Sequence, residues 1–279
     1  MTELSASDLK DIADKINEGI DEFCVTSLSD KPRTHLGISE IGNECIRETY
    51  YKFRWMKFEQ YDGRMLRLFK HGHLQEARYI NYLEGIGCKV MHHDENGKQF
   101  RVSGVMGHYG GSCDGQVITP WVPDKMLLEC KTHNTKSFVH YLKDGLHKTK
   151  PQHVDQMNGY GQKMELKYGI YFPENKNDSQ IEVSVVKLDW QRGAQLELRA
   201  REIITATEPP ARISDNPSYW KCGYCTFKGI CHYGEEPIKN CRSCRMSKPV
   251  EDARWYCSRW NDLIPADHIM TGCPGWTPI

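Results

Sequence analysis

The stretch Gly111-Ser112-Cys113-Asp114-Gly115, with fourteen residues between Asp114 and the following Glu129-Cys130-Lys131, decides how this chain is read. Between them lies Thr119-Pro120-Trp121-Val122-Pro123-Asp124, a proline-bearing turn flanked by strand-forming residues. Two strands joined by that turn bring Asp114 near Glu129. With the alternation of a strand, Glu129 and Lys131 share one face while Leu128 and Cys130 point inward. Two carboxylates and an ammonium then converge on one spot. Hard carboxylate oxygens suit Mg2+ or Mn2+, ions that keep water and accept phosphate oxygens. Lys131 can position such a water or help deprotonate it. A lone Glu-x-Lys is common on surface hairpins, where the pair is worth about 0–1 kcal/mol. Its weight therefore comes from the residues around it.

Working outward, residues 7–24 carry Leu9, Ile12, Ile16, Ile20 and Phe23 at helical spacing, which predicts an amphipathic helix. A turn around Lys31-Pro32-Arg33 leads to helices near 40–58 and 63–85. The region 87–132 alternates and is punctuated by Gly, Pro and Asn, as expected of strands and hairpins. A helix over about 151–167, strands at 168–173 and 181–190, and a helix over 190–207 follow. Glu208-Pro209-Pro210 ends the last helix. Beyond Trp220 the chain is cysteine-rich and irregular, as where metal replaces a hydrophobic core. The expected architecture is α+β, with a main domain over 1–219 and a metal-binding tail over 220–279.

Together these residues resemble a known family. Asp114 followed by Glu129-x-Lys131 resembles the core of the PD-(D/E)XK nuclease superfamily, although no proline precedes Asp114. Gln156-Met157-Asn158-Gly159-Tyr160 is similar to the Q-x-x-x-Y motif of its RecB-like branch. Gly72-His73-Leu74-Gln75-Glu76 resembles the upstream G-x-x-x-H/E motif, ending in Glu as in lambda-type phage exonucleases. The resemblance covers about residues 36–190. It implies a restriction-endonuclease-like fold, a mixed central sheet flanked by helices. It also implies that Glu76, Asp114, Glu129 and the Cys130 carbonyl hold the catalytic metal, that Lys131 orients water, and that Gln156 and Tyr160 steady DNA. Glu76 can equally be a solvated helix residue, and Gln156 and Tyr160, four apart on one helix face, can simply cap the core.

Of twelve cysteines, seven fall between Cys222 and Cys273. Without an export signal at the start of the sequence, such a cluster favours metal over disulfides. Cys222, Cys225 and Cys231 form C-x2-C-x5-C and need a fourth ligand, either His232 or the distant Cys45. The segment Cys45-Ile46-Arg47-Glu48-Thr49-Tyr50 resembles the C-x-R-x-x-Y/F stretch of CRISPR-associated and AddB-type nucleases. That resemblance implies a 4Fe–4S cluster on Cys45, Cys222, Cys225 and Cys231, with zinc as the alternative. Cys241, Cys244, Cys257 and Cys273 give C-x2-C-x12-C-x15-C, which can close a tetrahedral zinc site although the second pair is split. Cys24, Cys88 and Cys113 have no partner spacing and read as core residues, as does the Cys130 side chain.

The 37 basic and 37 acidic residues balance, so any nucleic-acid surface must come from local segregation of charge. Between Arg47 and Lys70 seven bases, among them Arg47, Arg54, Lys57, Arg64 and Arg67, interleave with Tyr50, Tyr51, Phe53, Trp55, Phe58 and Tyr61. Such a segment can neutralise phosphates and stack on unpaired bases, or be a plain helix pair with aromatic core residues. His140, Lys143, His147, Lys148 and Lys150 form a second, weaker basic run. A mean hydropathy of −0.65 and the absence of a long apolar run speak against a membrane protein, and the acidic start speaks against secretion. The expectation is a cytoplasmic Mg2+- or Mn2+-dependent deoxyribonuclease. By resemblance it is an exonuclease on DNA ends in phage or bacterial recombination or repair, working beside a strand-annealing or recombination protein. An endonuclease or helicase-associated nuclease, and a non-catalytic zinc- or cluster-bearing nucleic-acid binder, are the rivals. The chain has no G-x4-GK[ST] motor motif of its own.

Overall fold

The computed structural model describes residues 4–28 and 32–279; Lys31 of the expected turn lies outside them. In chain order the elements are α1 (Ala6–Leu28), β1 (Leu36–Gly37), α2 (Ile46–Phe53), α3 (Gly63–Gly85), β2 (Lys89–Met91), β3 (Arg101–Gly104), β4 (Tyr109–Ser112), β5 (Gly115–Ile118) and β6 (Met126–His133). There follow α4 (Thr135–Asp144), α5 (Leu146–Thr149), α6 (Pro151–Met164), β7 (Tyr168–Asn175), β8 (Ser184–Lys187), α7 (Trp190–Thr205), α8 (Trp220–Gly223) and α9 (Lys228–Tyr233). The tail adds β9 (Ser247–Val250), β10 (Arg254–Cys257) and β11 (Asp262–Ile264).

The fold is α+β. Its main sheet has the order β2-β5-β6-β7-β8 and is antiparallel except for the central pair. β5 and β6 form the expected hairpin, with Gly115 opposite Leu128. β6 and β7 run parallel from Met126–Tyr168 to His133–Asn175, so the chain must cross over between them, which it does through α4, α5 and α6. The crossover helices start where chemistry directs: Asn134 caps α4 by accepting from Ser137 N at 2.8 Å, and Pro151 opens α6. Asp62 and Asp189 cap α3 and α7 in the same way.

Alternation assigns the two faces of the sheet. Leu128, Cys130, Ile170 and Phe172 join Tyr79 and Leu83 of α3 in one cluster, where Tyr79 stacks on Phe172 at 4.6 Å. Leu127 and Tyr171 join Met157, Tyr160, Leu196 and Ala200 in the larger cluster beneath α6 and α7. Helices thus cover both faces, and Glu129 is itself fully buried rather than lying on an open face. A smaller sheet, β1-β4-β3, stands beside the main one.

Several expectations are corrected. The helix near 40–58 is confined to 46–53, because 38–45 is taken up by turns. α4 and α5 were not anticipated from the sequence. The tail is not wholly irregular: β9, β10 and β11 form an antiparallel sheet. The apolar stripe of α1 does not enter a core, since Leu9, Ile12, Ile16, Ile20 and Phe23 are all exposed and Cys24 is the helix's buried residue. Across the expected boundary at 219–220, Phe227 and Trp255 belong to the main cluster with Tyr50, Tyr51 and Phe53.

The tail docks through buried cations. Arg242 is 1% exposed and lies 4.2–4.9 Å from the ring centroids of Trp55, Phe53 and Trp255. It donates to the carbonyls of Thr34 and Phe53. Arg54 donates to Cys244 O at 2.8 Å, and His108 Nε2 lies 3.0 Å from the carbonyls of both Val250 and Arg254. Planar guanidinium groups suit such stacked sites better than an ammonium would.

Candidate active site

The hairpin β5–β6 places Asp114 directly before β5 and Glu129 and Lys131 on one face of β6, while α3 supplies Glu76. Cys130 N donates to Asp114 Oδ2 at 2.7 Å, which fixes that carboxylate against β6. The Lys131 ammonium pairs with Glu129 Oε1, and Glu129 Oε2 is buried without a hydrogen-bond partner. His73 Nδ1 lies 3.3 Å from Glu76 Oε1 at the solvent side of the group.

The electrostatics follow from this crowding. Burial pushes Glu129 up to about 7 against the pull of Lys131, and Asp114 and Glu76 push it further. Burial also raises Asp114, with Lys131 and the Cys130 amide opposing. Glu76 is raised by burial and by Asp114, with His73 and Lys131 opposing. Burial acts to lower Lys131, but Glu129 and Asp114 outweigh it and hold the amine protonated. The role of proton acceptor read for Lys131 from sequence therefore does not suit this arrangement; a donor that orients water or phosphate does.

Behind this group, α6 buries Gln156 and Tyr160. The Tyr160 hydroxyl donates to Ser112 O at 2.6 Å, two residues before Asp114. Gly111 makes this possible, since a Cβ there would lie 2.5 Å from the Tyr160 hydroxyl oxygen. Tyr160 is thus buried in support of the Asp114 turn rather than open to DNA.

Residues the sequence reading missed lie next to it. The Tyr171 hydroxyl contacts His133 Nε2 at 2.7 Å and His153 Nδ1 at 2.9 Å. Burial lowers these imidazoles to about 4 and about 3, helped by Lys150 and Lys131 for His133 and by Lys131 and His133 for His153. Both stay neutral at ordinary pH. The available signal was modest: His133 is two residues beyond Lys131 on the same strand, and His153 is three before Gln156.

The proposed DNA-contacting cations fare unequally. Arg54 is 2% exposed and spent on the tail, so it cannot meet a phosphate. Arg47 is engaged with the carbonyls of Pro209 and Pro210. Lys57 pairs with Glu235 at 3.2 Å and Arg67 with Asp21, both on the surface, while Arg64 is exposed. Tyr50, Tyr51, Phe53 and Trp55 are core residues and are not free to stack on bases.

Both cysteine quartets are gathered. Cys45, Cys222, Cys225 and Cys231 line one small cavity together with Arg47, Lys221 and Lys228. Arg212 caps it from outside by donating to Cys231 O at 2.6 Å. Cys241, Cys244, Cys257 and Cys273 line a second cavity. All twelve thiols are free of disulfides. Among the described residues no group of three or more His, Cys, Asp or Glu side chains stands together as an ion-holding site. The donor chemistry nonetheless fits in each place: hard, crowded carboxylates with an orphaned buried oxygen at one, soft thiols at the others.

No family model matches the chain, and no curated protein matches it. Among solved structures, the protein SSO0001 is similar at 15% identity and a TM-score of 0.49, over 78% of this chain and 96% of that one. An alkaline exonuclease from Laribacter hongkongensis is similar at 18% identity and a TM-score of 0.43, over 65% of this chain and 90% of that one. The LHK-Exo complex with dAMP gives 19% and 0.44, over 65% and 89%. At these values the likeness bears on neither chemistry nor substrate. No helix among the described residues is long and apolar enough to cross a membrane.

Proposed function

We propose that the chain is a divalent-metal-dependent deoxyribonuclease of the RecB-like branch of PD-(D/E)XK nucleases, acting as an exonuclease on DNA ends in recombination or repair. The observation that carries this is the convergence of Glu76, Asp114, Glu129 and Lys131 with a buried, unpartnered Glu129 oxygen at its centre. A purely structural ion pair has no use for three carboxylates drawn together, where Asp114 and Glu76 raise the cost of ionising Glu129 and Asp114 raises that of Glu76.

Mg2+ or Mn2+ would be held by Glu76, Asp114, Glu129 and the Cys130 carbonyl. Such an ion, when bound, acidifies water and neutralises phosphate charge. The chain's own residues do the remainder. Lys131, protonated and anchored on Glu129, has ammonium hydrogens left to orient an attacking water or a phosphate oxygen. The Cys130 amide and the Tyr160–Ser112 bond fix Asp114 from both sides. Glu76 retains 27% side-chain exposure, so substrate approaches from its side. At the first cysteine cavity, Cys45, Cys222, Cys225 and Cys231 would hold a 4Fe–4S cluster or zinc. The basic side chains around it suit the negative charge of ligated thiolates.

The test is cleavage of end-labelled linear and closed circular DNA by anaerobically purified protein with Mg2+, Mn2+ or chelator, beside a Glu129→Ala/Lys131→Ala variant. Metal-dependent loss of linear DNA that the variant lacks is expected. Nicking of circles would make the enzyme an endonuclease. Binding without cleavage under either ion would refute the catalytic assignment.

A further inference from the structure

The tail offers a second observation that the nuclease reading does not use. Four cysteines from three separate segments line one cavity there: Cys241 and Cys244 from a tight loop, Cys257 from the end of β10, and Cys273 from the C-terminal segment. The backbone holds these segments together independently of the thiols. Cys241 N donates to Ile269 O at 2.8 Å, Arg245 N to Thr277 O at 2.8 Å, and Ser258 N to Met246 O at 2.8 Å. Cys244 N folds back on Cys241 O at 3.2 Å, closing the C-x2-C loop. Thr277 N donates to Cys244 Sγ at 3.4 Å, which ties the C-terminal segment to the C-x2-C loop. At Gly272 the backbone turns through φ +64°, where a side chain would be strained, and delivers Cys273 to the cavity.

What the tail lacks is equally telling. Over residues 240–279 the buried apolar side chains are Cys244 and Trp255, and Trp255 faces Phe53 and His108 of the main body. Trp260, Leu263 and Met270 are exposed. The apolar side chains Trp255, Ile264, Ile269 and Ile279 pack on the main cluster, so the three short strands have little core of their own and gain order from a cross-link at the cavity; no disulfide supplies one.

We propose that Cys241, Cys244, Cys257 and Cys273 bind one structural zinc ion. Asp262 and His268 also line the cavity, but the four soft sulfur donors by themselves complete a tetrahedral set, which selects a closed structural zinc site rather than a catalytic one. The ion draws the four thiols into a single shell and clamps the end of β10 and the C-terminal segment onto the C-x2-C loop. This site is separate in sequence and in space from the cavity of Cys45, Cys222, Cys225 and Cys231, and it does not depend on the nuclease assignment.

The experiment uses the full-length chain, purified without chelator, and measures zinc per chain by plasma mass spectrometry. Cys257→Ser and Cys273→Ser are compared with a Cys222→Ser/Cys225→Ser variant that leaves the tail intact. The expected result is loss of one zinc per chain in each tail variant and retention of that zinc in the Cys222→Ser/Cys225→Ser variant. Because a serine variant could fail by misfolding, the wild-type chain is also alkylated with and without chelator and the modified cysteines are located by mass spectrometry. Chelator-dependent labelling of all four tail cysteines is expected. Cobalt replacement should give the intense visible bands of a tetrahedral sulfur site, unchanged in the Cys222→Ser/Cys225→Ser variant. A zinc content in both tail variants equal to that of the wild-type chain, tail cysteines that alkylate equally with and without chelator, or a mass showing them paired as disulfides would each overturn the proposal.

Discussion

Glu129→Gln offers a test that reads the site through stability. In the chain without cation, burial and its neighbours hold the Glu129 carboxyl at about 7, against an ordinary 4.5. Below pH 4.5 the group is protonated whether the chain is folded or not, and its contribution is fully present. Between pH 4.5 and 7 the unfolded chain releases that proton while the folded chain keeps it, so stability falls as pH rises. The loss is complete above 7. The gap corresponds to roughly 3 kcal/mol, at about 1.4 kcal/mol per pH unit. Glutamine removes this penalty but also deprives Lys131 of its partner, which costs on the order of 1 kcal/mol at a side chain that can still reach solvent. In chelator at pH 8 the variant should therefore be about 2 kcal/mol more stable than wild type, a rise of roughly 4–8 °C in Tm. The advantage should vanish by pH 5, where wild-type Glu129 is already neutral, and Mg2+ should narrow it by stabilising wild type alone. Thermal unfolding from pH 5 to 8.5, with and without Mg2+, measures all three. A variant less stable than wild type at pH 8, or a difference that does not change with pH, would refute the idea that Glu129 is held under strain for a cation.

Tyr160→Phe removes the bond to Ser112 O and should cost about 1 kcal/mol in urea unfolding. If that bond positions Asp114, kcat for DNA cleavage should fall roughly tenfold with KM little changed. Arg242→Ala empties a fully buried site between three aromatic rings and should destabilise the chain by about 3 kcal/mol or more. Limited trypsin digestion should then cut within residues 240–279 before the main body. Arg64→Ala should weaken DNA binding and flatten its salt dependence without altering Tm, whereas Arg54→Ala should lower Tm, because Arg54 faces the tail and not the solvent.

The carboxylate–lysine group was legible because its spacing is local: one hairpin sets Asp114 against Glu129, and period-two alternation puts Lys131 beside it. α3 and α6 were legible for the same reason, through helical periodicity and a first-turn proline. Burial was not legible. A segment such as 47–58, with alternating cations and rings, looks alike whether it faces DNA or a distant part of its own chain. Only the arrival of Arg242 and Trp255 from some 190 positions away turns Phe53, Trp55 and Arg54 inward. The reverse error occurred in α1, whose apolar periodicity is real but faces outward. His133, His153 and Tyr171 were missed because a polar network between a strand and a crossover helix has no sequence spacing of its own.

The arginine clasp also dictates an order of events. Contacts such as Arg54 to Cys244 close a loop of 190 residues, at an entropic cost on the order of 4–5 kcal/mol. During synthesis on a ribosome, the pocket made by Thr34, Phe53 and Trp55 has to wait for Arg242, some 190 residues later, to emerge. The aromatic floor beside α2 is left uncovered throughout that interval, and an intermediate lacking the last forty residues presents it to other chains. The last step of folding is thus set by where two arginines are placed.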